Sequence, residues 1–185
     1  SVAFWNLHAL AQALLPLVEG PKEAASEQLL AALEPYKAEF AAAMVSGLRA
    51  KLGLVSEHGD DAALADDLLK LMAEDRADFT ITWRRMSSPG AARDCFMQRD
   101  KFDAWAERYR ARLTQENSTD TERTTRMHRA NPKFVLRNHL AQTAIERAQQ
   151  GDVSETQRLL KVLERPYDEQ SEHEADAGFP PTWAT

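Results

Sequence analysis

The chain is short of cysteine, glycine and long apolar runs, and each shortage excludes a kind of structure. A single cysteine, Cys95, among 185 residues excludes an internal disulfide and a metal site built from several thiolates. Only seven glycines, beside abundant alanine and leucine, favour helices over strands. No apolar run approaches the ~18 residues of a membrane span, and no signal peptide is recognisable. We therefore expect a helical protein of a reducing compartment, without a membrane partner.

Charge is distributed unevenly along the chain, whose net charge is −6. Residues 1–78 carry six basic and 13 acidic side chains, residues 79–147 carry 14 and eight, and residues 148–185 carry three and eight. A basic middle between acidic ends could face phosphates or an acidic partner. We favour the simpler interpretation, in which the ends neutralise the middle within one fold.

Apolar residues recur at helical spacing through most of the chain. In residues 22–52, Pro35 predicts a kink or a fresh helix start, and Gly53 predicts the end of the region. Residues 78–86 alternate like a strand, but the flanking helices favour a helix capped by Asp78. Further helices are predicted over residues 4–18, after a cap at Asp60 or Asp61, over 99–115, over 121–129 and from a cap at Ser154 to Arg165, and residues 87–90 are predicted to be a loop.

Residues 131–140 contain the strongest local helix signal. Asn131 is a good N-cap, Pro132 suits the first helical position, and Gly151 suits the left-handed position after the helix. This pattern predicts a helix that begins at Pro132.

These patterns predict an all-α fold, an irregular bundle of about seven or eight helices with an extended C-terminal tail. Residues 1–165 are expected to form the helical domain, and residues 166–185 the tail, laid on the surface with Tyr167, Phe179 and Trp183 as anchors. The apolar and aromatic start of the chain lacks a polar lead-in, so we expect a piece of a longer protein.

Self-sufficient active-site motifs are missing from the sequence. It has no Gly-rich phosphate loop, no Gly-x-Ser-x-Gly, no His-Glu-x-x-His and no Cys-x-x-Cys. Glu172-His173-Glu174 makes a poor metal cage, because adjacent residues on a tail cannot surround an ion. The aromatics near Arg108, Arg110 and Arg112 fall on the apolar stripe, so we predict no nucleic-acid partner. We expect no catalytic, cofactor-binding or metal-binding residue in this chain.

Four motifs resemble the C-terminal part of the SelO/YdiU family, the kinase-like protein adenylyltransferases. Residues 78–84 are similar to the family's Asp-Tyr-Thr-x-Thr-Phe-Arg, with Phe79 and Trp83 in place of other aromatics. The other three are Trp5-Asn6-Leu7 with Leu10-Ala11, the string from Asn131 to Leu140, and Arg165-Pro166-Tyr167-Asp168-Glu169.

The resemblance implies an enzyme that moves AMP from ATP onto hydroxyl side chains of proteins, with Mg²⁺ or Mn²⁺ as cofactor. The family's nucleotide-binding lysine, its metal-binding Asn and Asp and its catalytic Asp lie upstream of the Trp-Asn-Leu motif, outside this chain. We therefore expect the chain alone to be inactive and to support the catalytic lobe or substrate docking. The implied partners are the missing N-terminal kinase-like lobe and protein substrates, and the implied location is the bacterial cytoplasm.

Two questions stay open at this level. Arg137 and Asn138 could tie their helix to the tail, for example to Asp168, or contact nucleotide or substrate in the intact enzyme; we favour the structural tie. The chain could instead be a free-standing helical interaction module whose basic middle recruits an acidic protein. The candidate structural or substrate-side residues are Arg84, Asn131, Arg137, Asn138, Arg165, Tyr167 and Asp168.

Overall fold

The computed structural model describes residues 2–184, and this part of the chain contains ten α-helices, three short 3-10 segments and no β-strand. The all-α prediction is confirmed. Residue 1, the first of the predicted helical domain, and residue 185, the last of the predicted tail, lie outside the described residues. The helices are α1 (Val2–Leu14), α2 (Lys22–Leu33), α3 (Tyr36–Lys51), α4 (Asp61–Glu74), α5 (Phe79–Arg85), α6 (Pro89–Arg93), α7 (Arg99–Leu113), α8 (Asp120–Ala130), α9 (Asn138–Gln149) and α10 (Ser154–Leu163).

The chain divides into two compact units, unit 1 (Ser1–Ser46) and unit 2 (Gly47–Thr185). In unit 1, α1 packs against α2. The predicted fresh start at Pro35 is confirmed, because the Pro35 carbonyl accepts from the Glu39 amide in the first turn of α3. Among the described residues of unit 1, Ala25 is the only buried apolar side chain.

The core of unit 2 forms where α4 packs against α7. Aromatic side chains follow one another along α7: Phe102 lies 5.7 Å from Trp105, which stacks on Tyr109 with ring centroids 5.2 Å apart. The indole of Trp105 donates to the Leu64 carbonyl at 2.8 Å. The Tyr109 hydroxyl donates to the Leu52 carbonyl at 2.6 Å, and burial raises its pKa to about 12. These hydrogen bonds allow large amphipathic rings to be buried without an unpaired polar group.

Gly53 ends the α3 region as predicted and lets α8 approach closely. Its φ is +72°, a left-handed conformation that favours glycine. A Cβ atom at this position would lie 2.6 Å from Arg123 Cγ and 2.7 Å from Met127 Cγ. Glycine is therefore required by both the backbone conformation and the packing of α8.

A buried ion cluster joins α7 to the start of α4. Arg112 Nε donates to Asp61 Oδ1 at 2.6 Å, and both side chains are more than 90% buried. Glu116 Oε1 lies 2.7 Å from Arg112 Nη1 and also accepts from the Ser56 hydroxyl. Burial alone would raise the pKa of Glu116, but hydrogen bonds from Ser56, from the Val55 amide and from Arg112 lower it to about 2.

Ion pairs also connect the basic middle of the chain with the acidic first part, residues 1–78. Arg108 reaches Asp67 at 2.7 Å, and Lys101 reaches Glu74 at 2.8 Å. These pairs are exposed, and each contributes only about 0–1 kcal/mol. They neutralise charge within unit 2, as the simpler interpretation of the charge pattern requires.

Several local predictions are wrong in detail. Asp60 precedes α4 without a side-chain cap, and the Asp61 carboxylate accepts from the His58 amide before the helix. Ser154 is the first residue of α10 and not its cap, since its amide donates to Asp152 Oδ1. Residues 87–90 are not all loop, because α6 begins at Pro89.

The predicted aromatic anchors of the tail are not buried, although Trp183 lies edge-on to His139 with ring centroids 6.3 Å apart. Tyr167, Phe179 and Trp183 are 44%, 62% and 64% exposed. Instead the buried Gln170 donates to the carbonyls of Val162 and Arg165. Asp176, in a 3-10 segment over Ser171–Ala177, pairs with Arg158. Polar contacts therefore anchor this segment to α10. In the described part of the chain, no helix is both apolar enough and long enough to cross a membrane.

Replacing Arg112 with methionine should strongly destabilise unit 2. The substitution leaves the Asp61 carboxylate buried without its cation, which costs about 3–5 kcal/mol. Chemical denaturation followed by circular dichroism measures this loss. Arg108→Met, at an exposed pair, is the control and should cost less than about 1 kcal/mol. Equal losses in both variants would contradict the buried cluster.

The lowered pKa of Glu116 predicts a defined acid sensitivity. Its folded pKa of about 2 lies below the ordinary value of 4.5, so its stabilisation is complete above pH 4.5 and is lost as the pH falls towards 2. At about pH 6, Glu116→Gln should therefore have a lower free energy of unfolding than the wild type, and the difference should narrow by about pH 3. A pH-independent difference would refute this assignment.

Candidate functional site

The three sequence motifs of unit 2 meet in space. Residues 78–84 form the cap and most of α5, residues 131–137 connect α8 to α9, and residues 165–169 follow α10. Hydrogen bonds join the second segment to the third: the amides of Lys133 and Phe134 both donate to the Pro166 carbonyl, at 2.8 and 3.0 Å. The candidate residues therefore belong to one region of unit 2, although they lie up to 84 positions apart along the chain.

The predicted helix start at Pro132 is wrong. Asn131 is the C-cap of α8, with φ −117° and ψ 100°, and α9 begins only at Asn138. A residue before proline avoids the helical region, which ends α8 at Asn131. The amides that would continue a helix from Pro132 are engaged by the Pro166 carbonyl. Residues 132–137 are therefore a non-helical connection, and Gly151 ends α9 with a φ of +84°, as predicted.

Asn131 is buried and holds the end of α3. Its side chain is 1% exposed. Its Nδ2 donates to the Lys51 carbonyl at 2.9 Å, and its Oδ1 accepts from Lys51 Nζ at 3.3 Å. Lys51 also donates to the Ala130 carbonyl, and burial lowers its pKa. The Asn131 side chain therefore does not cap a following helix. It connects the end of α8 to the end of α3.

Arg84 donates hydrogen bonds to carbonyl groups of two segments. Its Nη1 donates to the carbonyls of His128 at 3.1 Å and Asn131 at 2.9 Å. Its Nη2 donates to the Tyr167 carbonyl at 3.2 Å and to Glu169 Oε1 at 2.6 Å. The guanidinium side chain is only 12% exposed. Arg84 therefore serves as a cross-link between α5, the end of α8 and the tail.

Arg137 pairs with Asp78, and not with Asp168 or the tail. Its two terminal nitrogens donate to the two Asp78 oxygens at 2.6 and 3.0 Å. The side chains are 13% and 17% exposed. Burial opposes ionisation of Asp78, but hydrogen bonds from Arg137 and from the Ile81 amide lower its pKa below the ordinary value. Since Asp78 also caps α5, as predicted, Arg137 fixes the start of that helix.

The other candidate residues contribute mainly through their backbone. The side chains of Asn138, Arg165, Tyr167 and Asp168 are exposed. The Arg165 carbonyl accepts from the Asp168 amide and from Gln170, and the Tyr167 carbonyl accepts from Arg84. The structure thus brings these residues to the same region without placing their side chains in its hydrogen-bond network.

A cleft of about 470 Å³ opens beside this network. The Lys133 ammonium pairs there with Glu169 and Glu174, and Lys133 and Arg84 together lower the pKa of Glu169 to about 2. On the other side, His128 Nε2 lies 2.9 Å from Ser87 Oγ. Among these side chains only Arg84 was proposed from the sequence as a candidate site residue; Glu169 was named only within a motif and Glu174 only in a poor metal cage. Lys133 lies inside a recognised motif, which was the available signal, but nothing local marks Ser87 or His128.

The chemistry available in this region is binding through charge and hydrogen bonds. Among residues 2–184, no three His, Cys, Asp or Glu side chains lie close enough together to hold a metal ion. Burial lowers the pKa of His128, which favours a neutral imidazole at its contact with Ser87.

Replacing Arg137 with leucine should destabilise unit 2 by about 2–3 kcal/mol, because a largely buried charged acceptor loses its donor. Urea unfolding monitored by tryptophan fluorescence measures the change, since Trp83 lies on α5. The control is Arg147→Leu, whose guanidinium is half exposed and 3.7 Å from Glu155. If Arg137→Leu unfolds at the same urea concentration as the wild type, the pair has no structural role.

Comparison with known proteins identifies the family of this chain. The family described as protein adenylyltransferase SelO matches residues 1–164. A protein nucleotidyltransferase YdiU of Paraburkholderia xenovorans is 50% identical over 200 residues, which cover 100% of this chain and 38% of that protein. The YdiU protein of Burkholderia multivorans is 47% identical, with 99% and 38% covered. The chain spans about 38% of the length of these relatives. The chain belongs to the family described as protein adenylyltransferase SelO.

Proposed function

We propose that this chain is the C-terminal helical region of a protein adenylyltransferase, which transfers AMP from ATP to hydroxyl side chains of proteins. In this proposal the chain has no activity alone, and it supports the catalytic lobe or the docking of the protein substrate. Family membership supports the reaction class, because relatives of this chain are named as protein nucleotidyltransferases. The domain limits, residues 1–165 for the helical domain and 166–185 for the tail, remain part of the proposal.

The observation that carries the supporting role is the apolar surface of unit 1. Three large side chains there are more than 70% exposed, namely Val2, Trp5 and Leu17. Leu10, Phe40 and Met44 add further exposed apolar area at 54%, 49% and 48%. Exposed apolar surface of this kind marks an interaction site, since covering it removes apolar area from water.

The occupant that we propose for this surface is the remainder of the longer protein, a kinase-like lobe. The matched relatives extend over more than twice the length of this chain, so most of their sequence has no counterpart here. The adjacency is built into one polypeptide, which gives the contact a high effective concentration. Trp5 belongs to the Trp-Asn-Leu motif of the resemblance, and we expect it to be a main contact of this surface with the lobe.

We place ATP and the divalent cation, Mg²⁺ or Mn²⁺, on that remainder and not on this chain. The described side chains offer no cluster of metal ligands, and the sequence contains no Gly-rich phosphate loop. The contribution of this chain is therefore structural: Arg84, Asn131 and Arg137 fix the end of α3, α5 and the tail relative to one another.

The alternative, a free-standing module with a basic central surface, lacks a specific observation in its favour. Many arginines of residues 79–147 already pair with carboxylates in unit 2, for example Arg93 with Asp103 and Arg108 with Asp67. Such pairs reduce the field that would recruit an acidic protein.

A complementation experiment tests the proposal. The chain is incubated with labelled ATP, Mg²⁺ or Mn²⁺ and a generic protein acceptor, alone and together with the part of the Paraburkholderia xenovorans relative that it does not match. We expect no transfer with the chain alone and transfer above background with the mixture. Transfer by the chain alone would contradict the proposal.

A pair of exposed substitutions separates association from folding. Trp5→Asp should abolish complementation while the chain remains folded, because Trp5 is 71% exposed and contributes little to the internal packing of unit 1. Met97→Asp, at a residue of unit 2 that is 79% exposed, is the matched control and should complement like the wild type. Equal complementation by both variants would remove unit 1 as the docking surface.

A further inference from the structure

The cleft in unit 2 contains an anion that belongs to the protein itself. Glu174, on the 3-10 segment of the tail, places its carboxylate on the Lys133 ammonium. The Lys133 side chain is 12% exposed, whereas that of Glu174 is 65% exposed. Glu169, the second carboxylate on Lys133, is held by Arg84 as well, but Lys133 is the only ion-pair partner that the described residues offer Glu174. Glu174 is therefore the carboxylate that can leave at least cost.

A cation without a carboxylate partner lines the same cleft. Arg85 is exposed, and within residues 2–184 its guanidinium forms no ion pair; its one recorded contact is Cys95 Sγ at 3.7 Å. Both terminal nitrogens of the neighbouring Arg84 already donate to carbonyls and to Glu169. Arg85 thus offers a planar donor fork to a ligand, a geometry that suits carboxylates and phosphates.

Hydroxyl groups line the same cleft. The Ser87 hydroxyl donates to the Arg84 carbonyl at 2.9 Å and can accept from His128 Nε2. The Ser88 hydroxyl also lines the cleft and is exposed, with no hydrogen bond recorded among the described residues. The cleft therefore combines a free guanidinium, a displaceable carboxylate on a lysine and an available hydroxyl.

From this arrangement we propose that the cleft binds a phosphate monoester, whose dianion takes the place of Glu174 on Lys133 and is also bound by Arg85 and Ser88. A ligand with a single negative charge would replace the Glu174 carboxylate by an anion of the same charge and would gain no further ion pair. A dianion adds a charge that can pair with Arg85, which favours the exchange. The group carrying the phosphate has room to lie against Phe179, an exposed aromatic at the cleft.

The size of the cleft agrees with a small organic phosphate or a phosphorylated side chain. Its volume of about 470 Å³ falls within the ~300–1,000 Å³ typical of ligand pockets. A free phosphate ester and a phosphoserine residue share the chemistry that Arg85, Lys133 and Ser88 would recognise. The tail then serves as an internal competitor, because Glu174 occupies the site whenever the ligand is absent.

Two substitutions with opposite expected effects test the proposal on the chain of 185 residues. Binding of inorganic phosphate and of a phosphoserine pentapeptide is followed by titration with ¹H–¹⁵N correlation spectra. Arg85→Gln should weaken binding about tenfold, since it removes a charge-assisted contact. Glu174→Gln should tighten binding several-fold, since it removes the competing carboxylate. Arg110→Gln, which removes an exposed arginine of α7 outside the cleft, should bind like the wild type.

The outcomes are separable. Tighter binding of the phosphopeptide than of inorganic phosphate identifies a phosphorylated side chain as the ligand class, and equal binding identifies a free phosphate ester. Absence of saturable binding by either probe, unchanged binding in Arg85→Gln, or unchanged or weakened binding in Glu174→Gln overturns the proposal. Both altered side chains are exposed, so the unfolding midpoints of the variants should equal that of the wild type and provide the folding control. The test uses no nucleotide transfer, so its result is independent of the proposed adenylyltransferase activity.

Discussion

The guanidinium of Arg84 is the contact on which the candidate site depends, because it supplies donors to backbone that has no regular partner. The carbonyls of His128 and Asn131 lie where α8 ends, and the Tyr167 carbonyl lies where the tail begins. A buried carbonyl without a donor is costly. One rigid fork with five N–H groups satisfies carbonyls from both places and pairs with Glu169 as well. Irregular backbone can therefore be packed within an otherwise helical unit.

The non-helical connection over residues 132–137 positions two of the charged side chains of the candidate site, Lys133 and Arg137. It turns Lys133 towards the tail, where the ammonium meets two glutamates, and it places Arg137 against the start of α5. A continuous helix from Pro132 would have used the Lys133 and Phe134 amides within the next turns instead of releasing them to Pro166. The cleft and the cross-links are consequences of the same departure from regular structure. The buried bridge between Asn131 and Lys51 then couples this region to the end of α3.

Sequence reasoning was most reliable where the signal was local and repeated. The helical class, the break at Pro35, the Asp78 cap and the glycine ends at Gly53 and Gly151 follow from periodicity, capping and the left-handed preference of glycine. It was least reliable where one polar side chain had two possible uses. Asn131 and Ser154 both fit the pattern of a helix N-cap, but neither is one. The Asn131 side chain bonds to Lys51 instead, and the Asp152 carboxylate accepts from the Ser154 amide. The motifs identified segments that meet in the fold, and the resemblance identified the family that the comparison confirms, but neither identified the partner of Arg137.

What the sequence by itself determined is the helical class, most helix positions and the family, because these depend on short-range propensity and on residue strings read in order. Only the tertiary structure decided which distant groups meet: Arg137 with Asp78, Arg84 with three carbonyls, and Lys133 with Glu169 and Glu174. The physical reason is that ion pairs and hydrogen bonds form between groups that the packing of helices brings within about 3 Å. Sequence spacing carries almost no information about such contacts when dozens of acidic and basic side chains could pair.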